Sequence, residues 1–128
     1  MSHWKELSGR RKYERFSVPG DTLAVIEGSS STVAHVVDIG VAGLAFSYAA
    51  ENECHVESSA IHVFLSDSDF YLEGVPFETV WDLEMLTEPP FSQITRRRRG
   101  VKFSRLTAMQ LKQLQYFIKN YTTGLSQD

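Results

Sequence analysis

A chain of 128 residues that is 42% apolar and carries a net charge of −3 suits one compact domain with a genuine core, and it excludes wholesale disorder. Its single cysteine, Cys54, excludes an internal disulfide framework, and no stretch approaches the roughly 18 consecutive apolar residues of a membrane span. The charge is polarised. Arg10, Arg11, Lys12 and Arg15 cluster near the start and Arg96 to Arg99 late in the chain, leaving the remainder acidic. Bulk attraction to nucleic acid is therefore not expected; two concentrated basic spots suit a small anion or an acidic patch on a partner.

In chain order, Met1 to Gly9 is polar, without signal-peptide character, and is expected to be a flexible tail. With no span and no signal, a cytoplasmic protein without membrane insertion is predicted. From Thr22 the apolar residues follow a strand rhythm. Thr22–Glu27 is β-branched and apolar and ends at the turn-like Gly28-Ser29-Ser30. Ser31–Asp38 answers it with Val33, His35 and Val37 on one face. Leu44–Tyr48 follows the glycines at 40 and 43, and Ile61–Leu65 alternates. Phe70 to Trp81 predicts one long strand kinked at Gly74 and Pro76. An exposed hairpin loop is expected around Glu84–Gln93, with its Pro89-Pro90 pair. Arg96–Arg105 then closes the set with Val101 and Phe103 inward. Six short, closely spaced strands predict an all-β barrel or sandwich. At the end, Thr107 and Gln110 form a capping box, with Leu106 and Leu111 as its hydrophobic staple. Leu111, Leu114, Phe117, Ile118 and Tyr121 share a helical face, and Gly124 stands just past the end.

No catalytic constellation is visible. The four histidines (His3, His35, His55, His62) lack metal-ligand spacing, and Cys54-His55 is an isolated pair. His35 and His62 lie in strands and read as barrel-wall residues. Asp67 and Asp69 suit a turn. No phosphate-cradling Gly-x-x-x-x-Gly-Lys loop or nucleophile elbow occurs. The chain is expected not to be an enzyme and to carry no cofactor or metal.

Two elements point to ligand chemistry. Arg11 and Arg15 stand four apart ahead of the first strand; guanidinium forks suit phosphate oxygens and stack on purines, although a solvated basic tail has the same look. Asp38-Ile39-Gly40-Val41-Ala42-Gly43, leading into Leu44-Ala45-Phe46, is a strand, a tight turn and a strand. Its carboxylate can accept the two donors of a guanine edge and its glycines allow close backbone approach; a plain glycine-containing hairpin reads identically. Arg97 and Arg99 fall on one strand face, Arg96 and Arg98 on the other. They either flank a ligand surface or, the favoured reading, protect a sheet edge by charge.

Together these motifs resemble the PilZ family, whose pattern is Arg-x-x-x-Arg before the barrel and Asp/Asn-x-Ser-x-x-Gly between its second and third strands. Arg11-Lys12-Tyr13-Glu14-Arg15 matches the first, and Asp38 with Gly43 matches the second. Val80-Trp81, then Arg99-Gly100-Val101-Lys102-Phe103 and the capped terminal helix, extend the likeness over residues 10–122, with 123–128 left as a tail. The resemblance implies a six-stranded antiparallel barrel with a C-terminal amphipathic helix, acting as a receptor for cyclic di-GMP. On that reading Arg11 and Arg15 take the phosphate and stacking roles. Arg10 matches the extra arginine of members that bind two stacked ligand copies. Asp38 holds a guanine edge, Gly43 permits the turn, and Trp81 offers a ring for stacking, or else serves as a barrel-wall aromatic. Gly40 departs from the motif serine. The missing hydroxyl is worth roughly 0.5–1.5 kcal/mol, at most about tenfold in affinity. The implied function is a signalling receptor whose arginine segment changes conformation and which regulates an unidentified protein effector. The alternative is a degenerate interaction module that ignores the nucleotide. No DNA or RNA partner is expected.

Overall fold

The computed structural model describes residues 14–28, 31–49, 60–66, 68–85 and 96–126. Among these residues eight strands and one helix follow in order: β1 Phe16–Ser17, β2 Thr22–Glu27, β3 Thr32–Ile39, β4 Gly43–Ala49, β5 Ala60–Leu65, β6 Tyr71–Glu84, β7 Arg96–Phe103, α1 Ala108–Tyr121 and β8 Gly124–Leu125. Every pairing is antiparallel. The order β2-β5-β6-β7-β4-β3 closes on itself through a β2–β3 ladder. The result is a closed six-stranded antiparallel barrel, in which no strand of the ring is left with an open edge.

The period-2 patterning explains the barrel. Ala24 and Ile26 on β2, Leu44 and Phe46 on β4, Ile61 and Val63 on β5, and Val101 on β7 are buried in one continuous cluster. Intervening positions such as Val33 and His35 face outward and are exposed. Fully burying side chains of this size stabilises the fold by about 1.5–3 kcal/mol each. The long strand β6 accommodates its irregular residues through bulges. Gly74 adopts φ +66°, a left-handed conformation that favours glycine, where the β5–β6 register shifts between Ile61 and Val63. A second bulge, at Val80, shifts the β6–β7 register between Thr79 and Trp81.

The helix begins as its sequence demands. Gln110 N donates to Thr107 Oγ1 at 3.0 Å, and Thr107 N donates to Gln110 Oε1 at 2.9 Å. Gln110 Nε2 also donates to the Glu73 carbonyl at 2.7 Å, tying the helix start to β6. Leu114 and Phe117 are fully buried in the barrel's cluster, with the Phe70 ring 4.7 Å from that of Phe117. Leu111 lies at the margin of that face and is exposed, so the apolar stripe is narrower than expected.

Two expectations need correction. Arg96–Phe103 is not an edge: β7 is hydrogen-bonded to β4 on one side and β6 on the other, so charge there cannot serve to block strand addition. Residues 123–126 are not simply a tail, because Gly124–Leu125 pairs with β1. Two-residue strands carry too little pattern to be legible, and β1 and β8 were both missed for that reason. Of the loop expected around Glu84–Gln93, Glu84 instead ends β6, while residues 86–93, like Cys54-His55, His3, Arg10 and Arg11, lie outside the described residues.

Candidate functional site

The β3–β4 hairpin turns over Val41-Ala42, with Gly40 N donating to the Gly43 carbonyl at 2.8 Å. Neither glycine has a positive φ, so the turn itself does not require them. What they permit is close approach. A Cβ on Gly43 would stand 2.1 Å from the Val101 carbonyl oxygen, which makes this a position where β4 meets β7 backbone to backbone. A Cβ on Gly40 would stand 2.3 Å from the Glu14 carbonyl oxygen and 3.2 Å from Arg15 Cδ. The residue that departs from the motif serine is thus the one over which the arginine segment passes.

A bulge at Val37 sets the direction of Asp38. Val36 pairs with Phe46 and Ile39 with Leu44, all four in the core, whereas Asp38 pairs with Ala45 on the opposite face. Strict alternation would have sent Asp38 inward with Ala34 and Val36; the extra residue re-aims it to the outer wall. There it is covered by β1, which pairs Phe16 with Ile39 and Ser17 with Asp38. β8 lies beyond β1, and Ser126 N donates to the Arg15 carbonyl. Asp38 is consequently only 1% exposed, although it lies outside the barrel. Arg15 Nη1 donates to Asp38 Oδ1 at 2.9 Å, and Ser126 Oγ donates to Oδ2 at 3.2 Å. Two motifs separated by 23 positions in sequence therefore meet in one charge-assisted contact.

Trp81 belongs to the same outer surface. The register runs Asp38–Ala45 across β3 and β4, Ala45–Gly100 across β4 and β7, and Gly100–Trp81 across β7 and β6. One transverse row thus has the Arg15–Asp38 pair at one end, two small residues as its floor and an indole at the other end, roughly 14 Å away at ordinary strand spacing. The indole is laid across Gly100: a Cβ there would stand 2.3, 2.4 and 2.6 Å from Trp81 Cε2, Nε1 and Cζ2. Its other side keeps Trp81 37% exposed. Arg15, Asp38 and Gly40 are brought into contact, Trp81 completes their row, and Gly43 anchors the hairpin from behind.

The inward arginines have a different task. Arg97 Nε donates to Asp82 Oδ1 at 2.7 Å and Arg99 Nε to Asp82 Oδ2 at 2.8 Å, and Tyr48 Oη donates to the same Oδ2 at 2.6 Å. The Arg99 guanidinium also lies 5.5 Å from the Tyr48 ring centroid. Burial alone would raise the Asp82 pKa, but hydrogen bonds from Tyr48, Arg97 and Arg99 outweigh it and hold the carboxyl below its ordinary range. Burial, followed by the hydrogen bond to Asp82, pushes the Tyr48 phenol up. This network is structural. His62 is likewise committed: its Nδ1 accepts the Gly74 N–H at 3.0 Å, and its Nε2 meets Glu27 Oε2 at 2.5 Å.

Sequence reasoning missed Ala45 and Gly100 as the floor and Ser126 as a partner of Asp38. A glycine in the middle of a strand signals close approach by a neighbour, so Gly100 could have been found. Nothing local marks Ser126.

A closed six-stranded barrel with one terminal helix, and Arg15 laid against its outer wall, defines the class. The chain has a PilZ-type fold, shown by its likeness to solved structures. It resembles the PilZ domain of YcgR from Escherichia coli with c-di-GMP at a TM-score of 0.66 and 18% identity, over 86% of this chain and 89% of that one. MrkH, described as a c-di-GMP-dependent transcription regulatory factor, matches at a TM-score of 0.66 and 11% identity, over 87% of this chain and 50% of that one. MrkH of K. pneumonia in its apo state matches at a TM-score of 0.67 and 9% identity, over 87% and 49%. The chain thus spans about half the length of MrkH. No protein-family model and no curated protein sequence matches. No helix among the described residues is long and apolar enough to cross a membrane.

Proposed function

We propose that this chain is a non-enzymatic receptor for cyclic di-GMP that acts on a protein partner. The observation that carries the reading is the outer row: a guanidinium paired with a buried carboxylate at one end, a small-residue floor, and a half-exposed indole at the other. A cyclic dinucleotide presents two phosphates, two purine faces and two guanine edges. Arg15, with Arg10 and Arg11 ahead of it, supplies forks for the phosphates and flat cations for the purines. Asp38, already desolvated, accepts the guanine edge in exchange for its present donors, Arg15 and Ser126. Trp81 takes a base on its outward face, and Gly40 and Gly43 leave the hairpin low. The YcgR and MrkH descriptions, which name the same nucleotide, support the choice of ligand. Binding closes the Arg10–Arg15 segment around the phosphates, because neutralisation removes the repulsion among its cations, and the reshaped surface is what the partner reads.

Calorimetric titration of cyclic di-GMP into the wild type and Arg15→Ala tests the proposal. The wild type should bind, and the variant should lose about tenfold or more, the range for a charge-assisted contact worth about 1.5–3 kcal/mol. No heat from the wild type at about 100 μM ligand in low salt would sink it.

One observation favours a second reading, an interaction module that ignores the nucleotide. Arg15, Asp38 and Ser126 already satisfy one another, over a glycine that lets the segment settle closely. A partner captured equally with and without cyclic di-GMP would support that alternative.

A further inference from the structure

A cleft of about 310 Å³ opens between the start of β6 and the outer side of α1, at the far end of β6 from Trp81. Asp69, Phe70 and Tyr71 line it from the barrel, and Lys112, Gln113 and Tyr116 line it from the helix. Its aromatic walls are held from behind. The Tyr71 ring stacks on His62, with centroids 6.1 Å apart and planes within 8° of parallel. Phe70 packs on Phe117 and Tyr121, and Tyr116 meets Tyr121 edge-on at 6.0 Å. Tyr71 and Tyr116 nonetheless stay 46% and 57% exposed. Two steadied but uncovered rings suit a third ring entering between them, because they have little freedom left to lose.

Charge decides what kind of partner brings that ring. Asp69 and Lys112, one on each side of the cleft, are exposed. Neither has a salt-bridge partner among the described residues. Aromatic walls with a carboxylate alone would suit an organic cation, but the Lys112 ammonium opposes one. Lys112 instead continues a stripe along α1 with Met109, Tyr116 and Lys119, all exposed and spaced to share one helical face. α1 contains no acidic residue, although the chain as a whole has a net charge of −3. This face is therefore basic and apolar on an acidic molecule, and its complement is acidic and apolar.

We infer that this face docks an acidic segment of a partner protein, which seats one tryptophan or tyrosine in the cleft. The inserted ring packs against Tyr71 and Tyr116, and its indole N–H or phenol O–H donates to Asp69. Carboxylates beside the anchor pair with Lys112 and Lys119 at the margin, so the ring supplies affinity and the charges supply selection. None of these residues belongs to the Asp38–Trp81 row, so the inference holds whether or not cyclic di-GMP binds.

The test is an amide chemical-shift titration of the full chain with two capped peptides, acetyl-Glu-Trp-Glu-amide and acetyl-Lys-Trp-Lys-amide. The acidic peptide should shift the Tyr71, Gln113 and Tyr116 amides saturably and bind at least about threefold tighter than the basic one. Lys112→Glu should reverse that order, and Tyr116→Ala should weaken the acidic peptide about fivefold. Both side chains are exposed, so circular dichroism should show each variant folded as the wild type is. Unmoved amides at about 5 mM acidic peptide, or shifts centred elsewhere, overturn the inference. Equal affinity for the two peptides overturns the acidic partner. Shifts of the same amides with protein concentration alone assign the face to a second copy of the chain. Shifts caused by phosphatidylglycerol vesicles and not by the peptide assign it to a membrane surface; either result overturns the inference.

Discussion

Gly40 changes meaning between sequence and structure. As a motif departure it is a lost hydroxyl; in the fold it is the gap through which the Glu14 carbonyl and Arg15 pass close to the hairpin. Gly40→Ser, which restores the family pattern, should therefore not act as a simple gain. The new Cβ must displace backbone, and overpacking of this kind costs about 1–3 kcal/mol. Hydrogen exchange at the Phe16 and Ser17 amides should accelerate in the variant, and its denaturation midpoint should fall. Unchanged protection of both amides would show that the segment does not depend on this gap. Gly43 has less latitude still. Its neighbour is the Val101 carbonyl of a central strand, so Gly43→Ala should damage the β4–β7 ladder and lower stability more than Gly40→Ser does.

At the scale of elements, β7 joins the core to an ionic end. Its inward positions pass from Phe103 and Val101 to Arg99 and Arg97, and the last two share Asp82 with Tyr48. The Asp82 pKa is lowered in the folded state. Its contribution to stability is therefore complete above the ordinary carboxylate pKa of about 4 and lost as pH falls through the lower folded value. The raised Tyr48 pKa works in the opposite sense. Its contribution holds below the ordinary phenol value of about 10 and disappears as pH rises through the folded value. Asp82→Asn should cost about 3 kcal/mol at neutral pH, since Arg99 stays buried without its counter-charge. Denaturant melts between pH 7 and pH 2 should also show a shallower acid decline for the variant than for the wild type. Parallel acid slopes would mean that another carboxylate dominates acid unfolding.

For the whole molecule, the closed ring and the paired segments outside it are separable. β1 and β8 lie beyond β3 and form no part of the barrel closure. Truncation after Thr122 removes the bonds from Thr123 N to the Ser17 carbonyl and from Ser126 to Arg15 and Asp38. At about 0.5–1.5 kcal/mol net for each of the three, the loss should be about 1.5–4.5 kcal/mol, with barrel unfolding still cooperative. Nuclear magnetic resonance should show the amide shifts of β2, β5 and β6 unchanged and those around Asp38 displaced. Ligand should act in the opposite direction. A nucleotide that binds only the folded chain stabilises it by about 2.7 kcal/mol at a hundredfold excess over its Kd, and a thermal-shift titration reads that directly.

Local pattern was enough for much of the architecture. Alternation in Thr22–Glu27 and Ile61–Leu65 and the Thr107–Gln110 box are short-range signals, and they determined the strands, the helix start and the inward faces of β7. The same local reading named Arg15 and Asp38, and the family resemblance added Trp81. It could not decide that Asp38 faces out, because that depends on one bulged residue at Val37 whose only cause is the register against β4. Nor could it show that Gly100 and Ala45 separate Asp38 from Trp81, that Arg97 and Arg99 turn to Asp82, or that Ser126 returns to the arginine segment. Each of these is a contact across strands distant in sequence. Side-chain periodicity specifies which faces a strand has, but only the closing of the barrel decides what lies opposite each face.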